Sequence, residues 1–438
     1  MRVAVVGGGV IGLAAAWSLA RRGADVTLVE RERCGAGASA GNAGWVTPGL
    51  SAPIPAPGVM KQAARWMLDA DSPLLVRPRP SLDFLRWSAR FARSCRAGAH
   101  RAGTAATLAL ARETTSLFDL LAEEGVEFEM HEDGLLYLVR DERHLEEWLD
   151  AYALLEELGF DGEITPLDRA GVAAVEPAAA EAVVAGLLAG RERHVRPETL
   201  TAGLVADLRR RGVAIEEGLE VRGLAPTGDG GWLVYASGGA LDADRIVVAA
   251  GVWSSELLRG CGVRVPLEAA KGYSVTARGG DPLPRRPLYL TEAKIGASPY
   301  ADGTLRIAGT LELAGIDLDL NGRRVDAVAR NARDYLRDWR PEGARRDWCG
   351  LRPLAPDGLP VVGEARPGLF VATGHAMLGV TLAPATGEAL AGPVLGEEEL
   401  APSLAALGPA RFDRAAPTNG EVERWGHDRQ NSRVAVGR

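Results

Sequence analysis

Lysine is nearly absent from this chain of 438 residues, and this shortage shapes its charge. The three lysines are Lys61, Lys271 and Lys294, so arginine supplies almost all of the positive charge. The net charge is −8, whereas a nucleic-acid binder usually shows a basic excess along one face. We therefore expect no nucleic-acid partner.

Cysteine is also scarce, and its four positions lie far apart in the sequence. They follow neither a metal-ligand spacing nor the even pattern of a disulfide framework. We expect no metal site, and a reducing cytoplasm is the compartment that this usage favours.

Long apolar runs are missing as well. The Ala-rich stretch 104–122 comes nearest, but it contains Arg112, Glu113 and Asp119, so we expect no transmembrane segment. Glycines interrupt the apolar run at the N-terminus, which has no cleavage pattern, so no signal peptide is expected either.

The first 30 residues, in contrast, carry a strong pattern. "RVAVVG" is typical of a buried parallel strand, "VIGLAAAWSLARRG" of a helix that ends at a glycine, and "ADVTLVE" of a second strand. Gly7, Gly9 and Gly12 give the spacing GxGxxG between the first strand and the helix. Glu30 ends the second strand, where a carboxylate accepts hydrogen bonds from ribose hydroxyls. These features predict a dinucleotide site for NAD or FAD, and the acid at position 30 disfavours NADP.

Four later stretches identify a family. They are "GAGASAGNAGWVTPG" (35–49), "IVVAAGVWSSELL" (246–258), "WCGLRPLAPDGLPVVG" (348–363) and "TGHAMLGVTLAPATGEALA" (373–391). Together and in this order they resemble the signatures of the D-amino acid oxidase superfamily of FAD-dependent enzymes. Within it, 42–78 and "KGYSV" (271–275) are most similar to the D-amino acid dehydrogenase small subunit, whereas "ERHVRPETL" (192–200) is more similar to glycine oxidases.

The resemblance implies an α/β fold (α+β overall) in which a Rossmann-type FAD-binding domain is interleaved with a mixed-sheet substrate-binding domain. We assign 1–50, 191–262 and 345–400 to the first domain, and 51–190 and 263–344 to the second. Amphipathic helical patterns are predicted over about 59–96 and 104–124. Residues 412–438 are predicted to form a polar C-terminal tail.

The resemblance also implies non-covalent FAD contacts along the whole chain. Cys349 lies where some relatives attach the flavin covalently, but its spacing does not fit that arrangement. The implied FAD-binding residues are Gly7, Gly9, Gly12, Glu30, Arg31, Ser39, Asn42, Ala43, Gly44, Val221, Ala250, Gly251, Gly379, Val380 and Thr381.

Arg352 is the central candidate for the substrate site. Its position in "GLRPLAPDG" matches the carboxylate-binding arginine of the family, and a planar guanidinium suits a carboxylate because it donates two parallel hydrogen bonds. The alternative is a structural ion pair between Arg352 and Asp357, five residues later.

Further candidates follow from the same resemblance. Tyr273 and His375 are predicted to act with Arg352 in catalysis, and Tyr273 also to bind the substrate. Tyr300, Trp45 and Met377 are predicted to line the substrate pocket. Each of these side chains has an ordinary packing role as its alternative.

The function implied is oxidative deamination of a small amino acid, for which the D configuration is expected, or of a cyclic imino acid. The electrons would pass to a quinone or another carrier, in the cytoplasm or at the inner face of a membrane through peripheral contact. The alternative is an oxidase of the glycine or sarcosine type, which passes the electrons to oxygen and forms hydrogen peroxide.

Overall fold

The structure is a computed structural model that describes residues 1–413 apart from 68, 70 and 78. The strands are β1 (Arg2–Val6), β2 (Asp25–Glu30), β3 (Trp45–Val46), β4 (Leu74–Val76), β5 (Met130–His131), β6 (Leu135–Val139), β7 (Ile164–Asp168), β8 (Ala185–Ala189), β9 (Arg193–Val195), β10 (Ala214–Glu217), β11 (Val221–Pro226), β12 (Trp232–Ala236), β13 (Gly239–Ala243), β14 (Arg245–Val248), β15 (Glu268–Arg278), β16 (Leu288–Leu290), β17 (Ile295–Pro299), β18 (Leu305–Leu313), β19 (Glu342–Leu354), β20 (Val361–Arg366) and β21 (Leu369–Thr373). The α-helices are α1 (Val10–Arg21), α2 (Val59–Trp66), α3 (Leu82–Ser94), α4 (Ala97–Ala111), α5 (Thr114–Glu123), α6 (Glu142–Glu157), α7 (Arg169–Val175), α8 (Pro197–Arg210), α9 (Ser254–Gly260), α10 (Gly322–Ala332) and α11 (Gly379–Leu395).

The first sheet has the strand order β10-β2-β1-β14-β21-β20. Its first five strands are parallel, and β20 pairs antiparallel with β21 at the edge. The inner strand β1 is buried from Val3 to Val6, as expected for a parallel sheet that helices cover on its faces. This is the predicted Rossmann-type sheet, and its strands come from three separate parts of the chain.

Helices α1 and α11 pack closely against each other beside this sheet. A Cβ atom on Gly387 of α11 would lie 2.5 Å from the carbonyl oxygen of Ala14 in α1, so this close approach requires glycine. Both helices contribute to the largest core cluster, together with β1 and β2.

The second large sheet is mixed and has the order β19-β15-β18-β17-β16-β6-β8-β7, with β4 paired to β18. Most of its pairs are antiparallel, while β16–β6 and β18–β4 are parallel. Helix α10 packs against β15 and β18. Strands β11, β12 and β13 form a separate antiparallel meander.

Two predicted segments differ from the structure. The helical pattern over 59–96 is divided into α2, β4 and α3, because prolines at 73 and 80 interrupt the helix. Helices α4 and α5 were assigned to the substrate-binding domain, yet Leu110 and Phe118 lie in the core cluster of the first sheet. Helices α4 and α5 therefore pack in the core of the first domain, and the exact boundaries between the two domains stay a prediction.

The predicted polar tail begins in a packed segment. Phe412 is 4% exposed and lies in a core cluster with strands of the first sheet. Residues 414–438 of that tail lie outside the described residues.

Candidate active site

A cavity of about 1180 Å³ runs from the carboxyl ends of β1 and β14 to the mixed sheet. Sites for drug-sized ligands usually measure about 300–1000 Å³, so this cavity has room for a dinucleotide and a small substrate. Its position beyond the carboxyl ends of parallel strands is where α/β sheets bind their ligands.

Three glycines form the turn at the start of this cavity. Gly7 has a φ of +109°, and a Cβ there would lie 2.5 Å from the carbonyl oxygen of Ala249. A Cβ on Gly12 would lie 1.9 Å from the carbonyl oxygen of Gly7. At Gly9, in contrast, a Cβ would meet only Ser39 Oγ, at 3.4 Å, and would otherwise enter the cavity. The cradle therefore fits a pyrophosphate that approaches the backbone of Gly9 and the N-terminus of α1.

Glu30 and Arg31 lie at the same end of the cavity. The carboxylate of Glu30 accepts hydrogen bonds from the backbone N–H groups of Gly8 (2.7 Å) and Glu32 (2.9 Å), which fix its orientation. The guanidinium of Arg31 lies 4.3 Å from the ring centre of Trp253. Both side chains are placed where the adenosine part of a dinucleotide would lie.

The loop over 35–49 is held by hydrogen bonds of its own and by the mixed sheet. Ser39 Oγ accepts from the N–H of Val10, and Asn42 Oδ1 accepts from the N–H of Gly44 at 2.8 Å. Ser298 Oγ donates to the carbonyl of Ala43 at 2.7 Å. Gly44 has a φ of +73°, and a Cβ there would lie 1.9 Å from the carbonyl oxygen of Val195.

Arg306 is the buried anchor beneath this loop. It is 2% exposed, donates to the carbonyls of Ala40 and Asn42, and forms an ion pair with Glu198. The loop is therefore fixed to the second sheet through a charged network, and Arg306 itself does not line the cavity.

The remaining predicted FAD contacts lie along the same cavity, with one exception. Val221, Ala250, Gly251, Gly379 and Val380 line it. Thr381 does not: it is 1% exposed, and its Oγ1 donates to the carbonyl of Trp45 at 2.9 Å. Its side chain thus holds the loop over 35–49 against α11 rather than facing the cavity.

Arg352 lines the other end of the cavity, on β19. Its Nη1 donates to the carbonyl of Thr310 at 3.0 Å, and it forms no ion pair with any residue that the structure describes. Burial lowers the pKa of Arg352 to about 10, and no neighbouring carboxylate counteracts this effect. A shift of this size corresponds to a cost of about 3 kcal/mol for keeping the charge in place.

Asp357 is bound elsewhere. Its carboxylate accepts from Nε of Arg411 at 2.8 Å and from Nη2 at 3.3 Å. The alternative of a structural Arg352–Asp357 pair is therefore wrong, and the guanidinium of Arg352 has no carboxylate partner among the described residues.

Gly272 makes room for Arg352, and sequence reasoning missed it. A Cβ on Gly272 would lie 2.0 Å from Nη1 of Arg352, so only glycine lets the guanidinium lie across β15. Gly272 belongs to the quoted stretch "KGYSV", which was used only as a family likeness. The register of β15 with β19 supplies the missing signal, because Ala270 pairs with Arg352 and places Gly272 diagonally beside it.

His375, Met377 and Trp45 also line the cavity. His375 is 3% exposed, its Nε2 bonds to Thr386 Oγ1 at 2.9 Å, and its buried Nδ1 has no partner among the described residues. Burial lowers the pKa of His375 to about 3, so the ring is neutral near pH 7. Met377 is 62% exposed and lies at the mouth, and Trp45 Nε1 donates to Ser298 Oγ.

Tyr273 and Tyr300 lie away from the cavity, which corrects their predicted positions. Tyr273 is 0% exposed and its hydroxyl donates to buried Glu312 at 2.7 Å, because β15 turns this side chain into the core of the mixed sheet. Tyr300 packs near the guanidinium groups of Arg196 and Arg306, each 5.1 Å from its ring centre. Neither side chain lines the cavity, so the geometry gives neither a substrate contact.

Lys294 is a cavity residue that the sequence did not single out. Its ammonium lies 5.8 Å from the ring centre of Trp148 and 5.9 Å from that of Tyr289, and burial lowers its pKa.

Cys349 lines the cavity too, and its Sγ donates to the carbonyl of Leu318 at 3.1 Å. Burial raises the pKa of this thiol, which disfavours the thiolate that a covalent flavin bond requires.

Among the described residues, no helix is both long enough and apolar enough to cross a membrane.

Comparisons with known proteins agree with this arrangement. Residues 2–392 match the family model described as FAD dependent oxidoreductase (DAO). A D-amino acid dehydrogenase of Methylobacterium radiotolerans is 36% identical over 423 residues, which cover 93% of this chain and 99% of that protein.

Solved structures show the same fold. Glycine oxidase from Geobacillus kaustophilus superposes with a TM-score of 0.74 at 24% identity, covering 94% of this chain and 100% of that one. L-proline dehydrogenase from P. horikoshii has a TM-score of 0.68 at 18% identity, covering 94% and 97%. The chain therefore belongs to the DAO family of FAD-dependent oxidoreductases.

Proposed function

We propose that this protein oxidises a small amino acid at its α-carbon and that Arg352 binds the carboxylate of the substrate. The observation that carries the proposal is the guanidinium of Arg352, which lines the cavity without an ion-pair partner among the described residues. A buried unpaired charge is costly, and a substrate carboxylate that makes two parallel hydrogen bonds would offset this cost.

FAD, when bound, supplies the acceptor for the hydride that leaves the α-carbon. The protein contributes binding and orientation, because a reaction of this kind depends on holding the α-carbon at the correct distance and angle. Arg352 holds one end of the substrate, and the loop over 35–49, fixed by Arg306, holds the cofactor.

His375 is proposed to accept a hydrogen bond from the substrate amine. Its ring is neutral near pH 7, and its buried Nδ1 has no described partner. In the tautomer in which Nε2–H donates to Thr386 Oγ1, Nδ1 accepts a hydrogen bond from a donor. An amine oxidised at the neighbouring carbon becomes an imine, which water hydrolyses to the oxo acid and ammonia. A cyclic imino acid gives a cyclic imine.

The D configuration and a quinone or other carrier as electron acceptor are part of the proposal. The name of the Methylobacterium radiotolerans relative supports the D configuration and a dehydrogenase reaction. A second candidate is an oxidase of the glycine type, which the glycine oxidase folds favour. We propose a cytoplasmic protein that works at the inner face of a membrane.

The test is an anaerobic screen of the yellow holoenzyme against D-, L- and N-substituted amino acids. We expect a D-amino acid or a cyclic imino acid to bleach the flavin. If no amino acid reduces it at normal flavin content, the proposal fails. Admission of air then separates the candidates, since rapid stoichiometric hydrogen peroxide identifies the oxidase.

A further inference from the structure

The mixed sheet contributes two charged side chains to the wall of the cavity, and both are cations. They are Arg352 on β19 and Lys294, which directly precedes β17. The carboxylates that line the cavity lie outside this sheet; they are Glu30, Glu32, Glu220 and Glu256. Among the described residues, this wall therefore presents positive charge with no carboxylate to neutralise it.

Lys294 forms no hydrogen bond and no ion pair with the residues that the structure describes. The rings of Trp148 and Tyr289 attract its ammonium but leave the three N–H donors unused. Two carboxylates act on it only from a longer distance, those of Glu147 and Glu292. Glu147 is exposed on α6, and the carboxylate of Glu292 already accepts four other hydrogen bonds. The ammonium, like the guanidinium of Arg352, thus lacks an internal anion.

The backbone between the two cations is strained. Lys294 has a φ of +53° and Thr310 a φ of +63°, which side chains with a Cβ rarely adopt. The pairing of Ile295 with Gly309 places Thr310 opposite Lys294, and the carbonyl of Thr310 accepts from Nη1 of Arg352. The hydroxyl of Thr310 is buried and has no hydrogen-bond partner among the described residues. Strained backbone and unsatisfied polar atoms of this kind concentrate at ligand sites.

The two cations lie too far apart for one carboxylate to bind both. The guanidinium of Arg352 lies across Gly272 of β15, whereas Lys294 lies at the start of β17, with β18 between these strands. Two strand spacings amount to roughly 10 Å, and the ammonium is turned further away, toward Tyr289 of β16. A hydrogen bond to a charged group measures about 2.8 Å, so one carboxylate cannot bridge this gap. Two carboxylates joined by a short carbon chain can.

We propose that the substrate is an amino acid with a second carboxylate in its side chain, as in aspartate and glutamate. Arg352 would bind the α-carboxylate and Lys294 the carboxylate of the side chain, while the methylene groups pack against Trp148 and Tyr289. A neutral side chain would leave the ammonium unpaired and a cationic one would be repelled, so Lys294 determines specificity by charge. This inference names the substrate class of the proposed function and rests on it.

The test compares D-glutamate with D-glutamine and D-aspartate with D-asparagine, because the members of each pair differ in charge at nearly the same shape. The second-order rate constant of anaerobic flavin reduction is measured with the holoenzyme. In the wild type we expect the acid to be preferred over its amide by about 30-fold or more. In Lys294→Met this ratio should fall to near one, and Lys294→Gln should give the same result if the methionine variant does not fold.

The matched control is Lys61→Met, which removes an exposed lysine that does not line the cavity. It should keep the acid-to-amide ratio of the wild type. A ratio near one in the wild type would overturn the inference. So would an equal loss of rate with acid and amide in Lys294→Met, because a structural role or a role toward the flavin slows both substrates alike.

Binding of glutarate and of its monoamide separates this inference from the proposed function, because neither compound has an amine to oxidise. Titration followed by the absorbance of the oxidised flavin should show glutarate binding about 30-fold more tightly in the wild type and without preference in Lys294→Met. If no amino acid reduces the flavin, the proposed function fails, and this titration still decides whether the two cations bind a dicarboxylate. If neutral amino acids reduce the flavin and the acids have no advantage, the proposed function stands and the inference alone fails.

Discussion

Replacing Arg352 by methionine should remove activity and yet leave the fold at least as stable. Burial lowers the pKa of Arg352 to about 10 from an ordinary 12.5, which corresponds to a cost of about 3 kcal/mol in the substrate-free protein. The hydrogen bond to the carbonyl of Thr310 returns about 1 kcal/mol of this cost. The free energy of unfolding should therefore rise by about 2 kcal/mol in Arg352→Met.

Activity should change in the opposite direction. Loss of one partner of a buried charge pair costs about 2–5 kcal/mol, so kcat/KM should fall by roughly 30- to 5000-fold. Thermal unfolding and anaerobic flavin reduction, normalised to flavin content, measure the two effects on one preparation.

Arg411→Met is the matched control, because it removes an arginine that does have an internal partner, Asp357. It should lower stability and leave kcat/KM per folded molecule near that of the wild type. If Arg352→Met instead unfolds at a lower temperature and keeps its turnover per folded molecule, then Arg352 is structural and the reasoning is refuted.

Three further changes have distinct outcomes. Gly272→Ala should displace the guanidinium of Arg352 and lower kcat/KM by about 100-fold with the fold intact; unchanged kinetics would show that the close approach is unimportant. Gly9→Val should abolish flavin retention in a folded protein, whereas Gly98→Val, at an open helical site, should keep the yellow colour; equal flavin content in both would contradict the pyrophosphate cradle. Burial raises the pKa of Glu192 to about 8, so the wild type loses stability as pH rises from about 4.5 to about 8. The free energy of unfolding of Glu192→Gln relative to the wild type should therefore rise by up to about 5 kcal/mol over that pH range. Urea unfolding that gives a pH-independent difference between the two proteins would exclude this.

The local parts of the fold could be predicted from the sequence because their signals are local. The strand, glycine turn and helix at the N-terminus are contiguous, and the structure has them as β1 and α1. The interruption of the helical pattern over 59–96 could also be predicted from the sequence, because Pro80 precedes Ser81. The Oγ of Ser81 accepts from the N–H of Phe84 and caps the start of α3.

The placement of side chains across the mixed sheet could not be read in this way. Tyr273 and Gly272 are neighbours in sequence, but alternation along β15 sends the tyrosine into the core and leaves the glycine beneath Arg352. The partner of Asp357 lies 54 residues away, at Arg411, and no short-range pattern indicates that pair. These contacts depend on register and tertiary packing.

The most direct test of the central claim compares an amino acid with the amine that lacks only its carboxylate. In the wild type, the rate of anaerobic flavin reduction should favour the amino acid strongly, and in Arg352→Met this preference should disappear because the amine never used the guanidinium. A preference of the same size in both proteins would contradict the claim that Arg352 binds the substrate carboxylate.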